Sequence, residues 1–122
     1  ENYTTIDGRV VPNKELTLDP DNPKSYAFCT DTLPLENTIE QVLGVDCLYH
    51  ESTFSHIEKK RAKATFHSTT KDAANIAHEA KVGKLVLGHY SARYSDLSIL
   101  LEEAKEVFDN TILALEGEEI NI

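Results

Sequence analysis

The sequence predicts an α/β fold with a largely parallel sheet. Strand-length apolar runs alternate with amphipathic helical stretches along the chain. Such alternation places helices over the crossovers between parallel strands. Polar residues also gather where three of the apolar runs end: at Asp31, at His50 with Glu51, and at His89 with Ser91 and Arg93. Open α/β sheets collect their reactive groups beyond the carboxyl ends of the strands.

Residues 1–24 are polar, with Gly8, Pro12, Pro20 and Pro23 as punctuation, and read as an irregular lead-in. RVV and ELTL supply short edge strands there. In SYAFCTDT, Tyr26, Ala27, Phe28 and Cys29 read as a buried strand that ends at Asp31. PLENTIEQVLG opens a helix at Pro34, puts Ile39, Val42 and Leu43 on one face, and stops at Gly44. VDCLYHEST is the second strand and ends at His50 and Glu51.

SHIEKKRAKA reads as a short helix. HSTTKDAANIAHEAKVG carries a capping signal in Ser68 to Thr70, with Asp72 just inside. Ala73, Ile76, Ala77 and Ala80 share one face of that helix. Side chains this small predict close approach to the sheet, and Gly83 reads as the stop. KLVLGHY is the third strand. SDLSILLEEAKEVF follows the helical period through Leu97, Leu100, Leu101, Ala104, Val107 and Phe108, with Ser95 or Asp96 as its cap. NTILALEG and EEINI complete the chain as two strands.

The chain has 122 residues, 40% of them hydrophobic, which fits one small domain or part of a larger one. No apolar run is long enough to span a bilayer. A net charge of −9 argues against binding nucleic acid through a broad basic surface. Any such role rests on a local site. The nearest basic cluster is KKRAK, residues 59–63, which also suits a plain solvated helix face. Cys29 and Cys47 sit in apolar runs and read as buried free thiols, as in a reducing cytoplasm. The chain opens at Glu1 and contains no methionine, which predicts that it is part of a longer protein.

Carboxylate, imidazoles and a guanidinium at one sheet edge suit a metal-assisted hydrolase acting on a phosphate. Each residue also has a plainer reading. Asp31 suits a turn before Thr32 and Pro34. His89 suits a hydrogen-bonded core histidine, Glu51 and His67 suit ordinary loop positions, and Arg93 suits a surface ion pair. His56 and His78 fall among charged helical residues and take no role.

FCTDT, HESTF, HSTT and LGHYSARY stand in this order and spacing. Together they resemble the C-terminal half of the ribonuclease Z family, the tRNA 3′-processing endonucleases of metallo-β-lactamase fold. HESTF resembles the family's HEAT loop with serine for alanine, and GHYSARY resembles its last metal-ligand motif. The resemblance runs from about Tyr26 to the C-terminus. It implies the C-terminal part of an αββα sandwich, so that residues 1–122 form a single partial domain.

By that resemblance, Asp31 bridges two zinc ions and His89 is a terminal ligand of one. Glu51 and His67 face each other and protonate the leaving oxygen. Ser91 and Arg93 hold phosphate, assisted by Ser68 or Thr69, and His50 supports the site from behind. The roles are physically coherent. Two metals about 4 Å apart activate water and clamp both oxygens. A histidine polarised by a carboxylate suits a general acid at neutral pH. A tRNA acceptor end would be recognised largely through phosphate and shape.

The family's main His-x-His-x-Asp-His motif does not occur in this chain. A catalytic zinc site needs about three protein ligands, so these residues alone are not expected to hold a dinuclear centre or to cut RNA. The sheet face that would meet the other half is expected to be exposed and apolar, favouring homodimers or other self-association. Two other readings stay open. One is a different phosphodiesterase or arylsulfatase of the same fold. The other is a non-catalytic α/β interaction module.

Overall fold

The computed structural model describes residues 3–4, 10–11, 23–30 and 32–122. Asp31 and the ELTL segment lie outside them. Strands β1 (Tyr3–Thr4) and β2 (Val10–Val11) pair antiparallel as a two-stranded sheet, and RVV supplies the second of them.

The main sheet has four strands in the order β3 (Tyr26–Cys29), β4 (Cys47–Glu51), β5 (Lys84–Gly88) and β6 (Thr111–Leu113). All its pairings are parallel. The crossovers carry α1 (Glu36–Gln41), then a 3-10 turn (His56–Glu58) with α2 (Lys59–Ala64) and α3 (Thr70–Ala80), then α4 (Ser98–Lys105). The register aligns Cys29 with His50, His50 with Leu87, and Leu87 with Leu113, so the strands end along one edge.

The core lies on one face of this sheet. Leu48, Leu85 and Leu87 meet Ala73, Ile76, Ala77 and Ala80 of α3 and Ala104 of α4. The alanines of α3 are wholly buried, as their small size predicted. A capping box starts that helix. Thr69 Oγ1 accepts the Asp72 N–H, and Asp72 Oδ2 accepts the Thr69 N–H at 2.9 Å. Each such cap is worth about 1 kcal/mol.

Several expectations change. The α3 stop is Lys81 in the left-handed conformation, at φ 53°. Gly83 serves instead where β-strand entry needs close approach, since a Cβ there would lie 2.7 Å from the Asp46 carbonyl oxygen. α1 starts at Glu36 behind Leu35 and ends at Gln41; Leu43 is exposed instead of facing the core. The first main strand is not buried, because Tyr26 is 51% and Phe28 59% exposed. The face opposite the helices has partial cover only. EEINI forms no strand, but Ile120 and Ile122 line a hollow with Tyr26, Cys47, Tyr49 and Val86. Lys84 Nζ holds that tail through the Asn121 carbonyl oxygen at 2.7 Å.

Candidate functional site

The alternation of β4 puts Leu48 and His50 on the helix side and Glu51 on the other, at the carboxyl edge. The loop that follows, residues 52–55, is buried throughout. It is stitched to both neighbours. Ser52 N–H donates to the Gly88 carbonyl, Ser91 N–H to the Thr53 carbonyl, and Thr70 N–H to the Phe54 carbonyl. The three sequence segments thereby converge.

Glu51 is wholly buried and its carboxylate is the hub. Oε1 accepts the Thr32 N–H at 2.6 Å and lies 3.0 Å from His67 Nδ1. Oε2 accepts the Thr53 hydroxyl at 2.5 Å and the Thr53 N–H at 3.3 Å. Burial pushes the Glu51 pKa up, but hydrogen bonds from Thr53, His67, Ser68 and Thr32 outweigh it and hold it below the usual range. The carboxylate is therefore charged and accepts only. Thr53 spends its single proton on it, so Thr53 Oγ1 accepts from His89 Nδ1–H at 2.9 Å. In the neutral form of the ring, that bond leaves the lone pair on Nε2.

His89 itself sits at φ 58°, a left-handed conformation that a non-glycine residue adopts at some cost. It follows Gly88, where any Cβ would lie 2.0 Å from the Tyr49 hydroxyl. The missing side chain at Gly88 lets Tyr49 lie across the strand end.

The remaining candidates fall into two groups. Ser68 and Thr69 are wholly buried: Ser68 Oγ donates to the Thr32 carbonyl, and Thr69 caps α3. Both hydroxyls thus help to build the loop that carries His67. Ser91 and Arg93 remain accessible. The Arg93 guanidinium lies 5.5 Å over the Phe54 ring and 3.3 Å from Glu58. Phe54 in turn meets the His67 ring at 6.2 Å. His50 is buried on the helix side, where its Nδ1–H donates to the Glu51 carbonyl at 2.8 Å.

Sequence reasoning missed Thr53 and Thr32, which hold Glu51, and Glu103. The Glu103 carboxylate accepts the His56 N–H and the Thr70 hydroxyl, pinning the loop to α3. Only the position of Thr53 within HEST could have signalled it.

Glu51, His67 and His89 offer atoms within 4.8 Å of one another, close enough to chelate a metal. Both oxygens of Glu51 already accept two hydrogen-bonding partners each, however. The set fits better as a hydrogen-bonded relay that presents His89 Nε2 outward. A ligand histidine whose other N–H is anchored is the usual arrangement in metal sites.

No family model matches the sequence. Curated relatives do. The chain is 52% identical over 120 residues to ribonuclease Z of Phocaeicola vulgatus, covering 98% of this chain and 39% of that protein. It is 53% identical over 115 residues to ribonuclease Z of Bacteroides fragilis, covering 94% and 38%. The chain thus spans about two fifths of the length of the curated relatives it matches. Among solved structures, the metallo-β-lactamase fold protein YhfI of Bacillus subtilis superposes with a TM-score of 0.64 at 26% identity, over 70% of this chain and 35% of that one. The long-form RNase Z of yeast gives 0.54 at 29% identity, over 57% and 10%. The α/β fold is that of these metallo-β-lactamase proteins.

Proposed function

We propose, from the premise that this chain belongs to the ribonuclease Z family, that it is the C-terminal part of an endoribonuclease removing the 3′ trailer from precursor tRNA. Residues 1–122 are then one partial domain, with residues 1–24 as its lead-in. The observation that carries this reading is Glu51. One charged, buried carboxylate orients His67 directly and His89 through Thr53.

In this reading His67 is the general acid at the leaving oxygen, and Glu51 stabilises it as its proton moves. Ser91 and Arg93 hold the phosphate, Arg93 exchanging Glu58 for it. His89 and Asp31 would hold zinc, which supplies an activated water and positive charge beside the phosphate. Among the described residues, His89 fits a ligand's chemistry because its Nδ1–H is already anchored. Free Cys29 and Cys47 suit a reducing cytoplasm. Among the described residues no helix is long and apolar enough to cross a membrane.

The segment alone is inactive, because it carries fewer ligands than a catalytic zinc site needs. It self-associates through the open face bearing Tyr26 and Phe28. Precursor cleavage assays test first the activity of the full-length protein and second the inactivity of the segment. The full-length protein should release the trailer and these 122 residues should not. Cleavage by the segment, free of contaminating nuclease, would overturn the second claim. One competitor remains from the sequence reading, a phosphodiesterase of the same fold that acts on small phosphodiesters. A full-length protein that cleaves such a compound and leaves precursor tRNA intact would establish it instead.

A further inference from the structure

We propose that the hollow between residues 33–35 and helix α2 is a subsite for the single-stranded nucleotide next to the scissile phosphate. It rests on the reading above, since it assigns a strand to the site already described. The hollow has a volume of about 470 Å³ and is lined by Leu33, Pro34 and Leu35, by Lys59, Lys60 and Lys63, and by His67 and Asp72. It therefore opens onto the same imidazole that Glu51 orients. Ligand pockets start at about 300 Å³, so this one takes a nucleotide but not a duplex.

Charge supplies the second argument. The chain carries −9, yet this wall concentrates three lysines. The fold sorts the residues of α2. Ala62 is buried against the body, and Arg61 is paired with Glu58. Lys59, Lys60 and Lys63 are left facing the hollow. None of the three forms an ion pair with a described residue. Among the described residues the one carboxylate in the lining, Asp72, is committed to the Thr69 N–H. On the other side, Leu33, Pro34 and half-exposed Leu35 present an apolar surface. Cationic groups along a backbone opposite an apolar face for a base or sugar are what single-stranded nucleic acid requires.

The test is binding of a short fluorescein-labelled oligouridylate to the 122-residue chain, followed by anisotropy across a salt series. The variant K59Q/K60Q/K63Q is compared with K24Q/K81Q/K105Q, which removes the same charge from exposed sites elsewhere; circular dichroism checks both folds. The hollow variant should lose at least tenfold in affinity, with a salt slope smaller by about 0.7 per lysine. The control should bind as the parent chain does. Equal weakening by both variants, no weakening by either, or no binding by the parent chain would overturn the proposal.

Cleavage is scored separately in the full-length protein, where the hollow variant should raise KM with kcat kept. A parent that binds through these lysines but never cuts would sink the nuclease reading and leave the subsite standing. A parent that cuts with KM indifferent to them would do the reverse.

Discussion

The Thr53 hydroxyl oxygen lies 2.9 Å from His89 Nδ1 while donating its proton to Glu51 at 2.5 Å. One hydroxyl thus links the carboxylate at the end of β4 to the histidine beyond β5. Thr53→Val keeps the shape and removes both bonds. It should cost about 1–3 kcal/mol, because a buried charge loses a donor. In the full-length protein it should also weaken zinc binding about 10–100-fold. Urea unfolding and metal titration check the two effects.

Gly88→Ala should destabilise the chain by about 1–3 kcal/mol, since its Cβ would meet the Tyr49 hydroxyl and ring. The damage should be partly relieved in Gly88→Ala with Tyr49→Ala. A double-mutant cycle reads this as a coupling energy. Additive effects would mean that the two residues do not share the space.

Acid should weaken the fold in two stages. Burial holds the His50 pKa below its ordinary value, so the folded state favours the neutral ring. Stability from this source is whole above about pH 6.5 and falls as the unfolded chain begins to bind protons more readily. The Glu51 pKa is depressed in the fold. Its contribution is present above the unfolded glutamate value of about 4.3 and is lost as pH falls through the folded one. Urea midpoints should therefore drop between pH 7 and 5, and again below pH 4.5. His50→Gln should flatten the first drop and Glu51→Gln the second.

Much of this architecture was legible in the sequence. The helix α3 announces itself through Thr69, Asp72 and an alanine face, because capping and side-chain size are local properties. The parallel strands β4 and β5 show as apolar runs for the same reason. Tyr26 and Phe28 misled, because an apolar run reports a wish for burial and not whether this chain supplies the cover. The roles of Thr53 and Gly88 stayed hidden. Each depends on a partner, His89 or Tyr49, that only folding brings close. Glu51, His67 and His89, which the fold brings together, were singled out because their motifs resemble a family; their chemistry alone left them ambiguous.

Thr69→Ala should cost about 1 kcal/mol by breaking the capping box. It should also loosen the turn that carries His67. Hydrogen exchange at the first turn of α3 would show this as faster opening than in Lys105→Ala, a change remote from the box.

Glu51 and His67 are proposed to deliver a proton to the leaving oxygen. The most direct measurement compares His67→Ala with the parent full-length protein on two RNA substrates, one normal and one with sulfur in place of the leaving oxygen. Sulfur departs without a proton. A general acid at His67 predicts a loss in kcat of about 10²–10⁴ on the oxygen substrate and nearly none on the sulfur one. Equal losses on both would contradict it and reduce the pair to a structural prop.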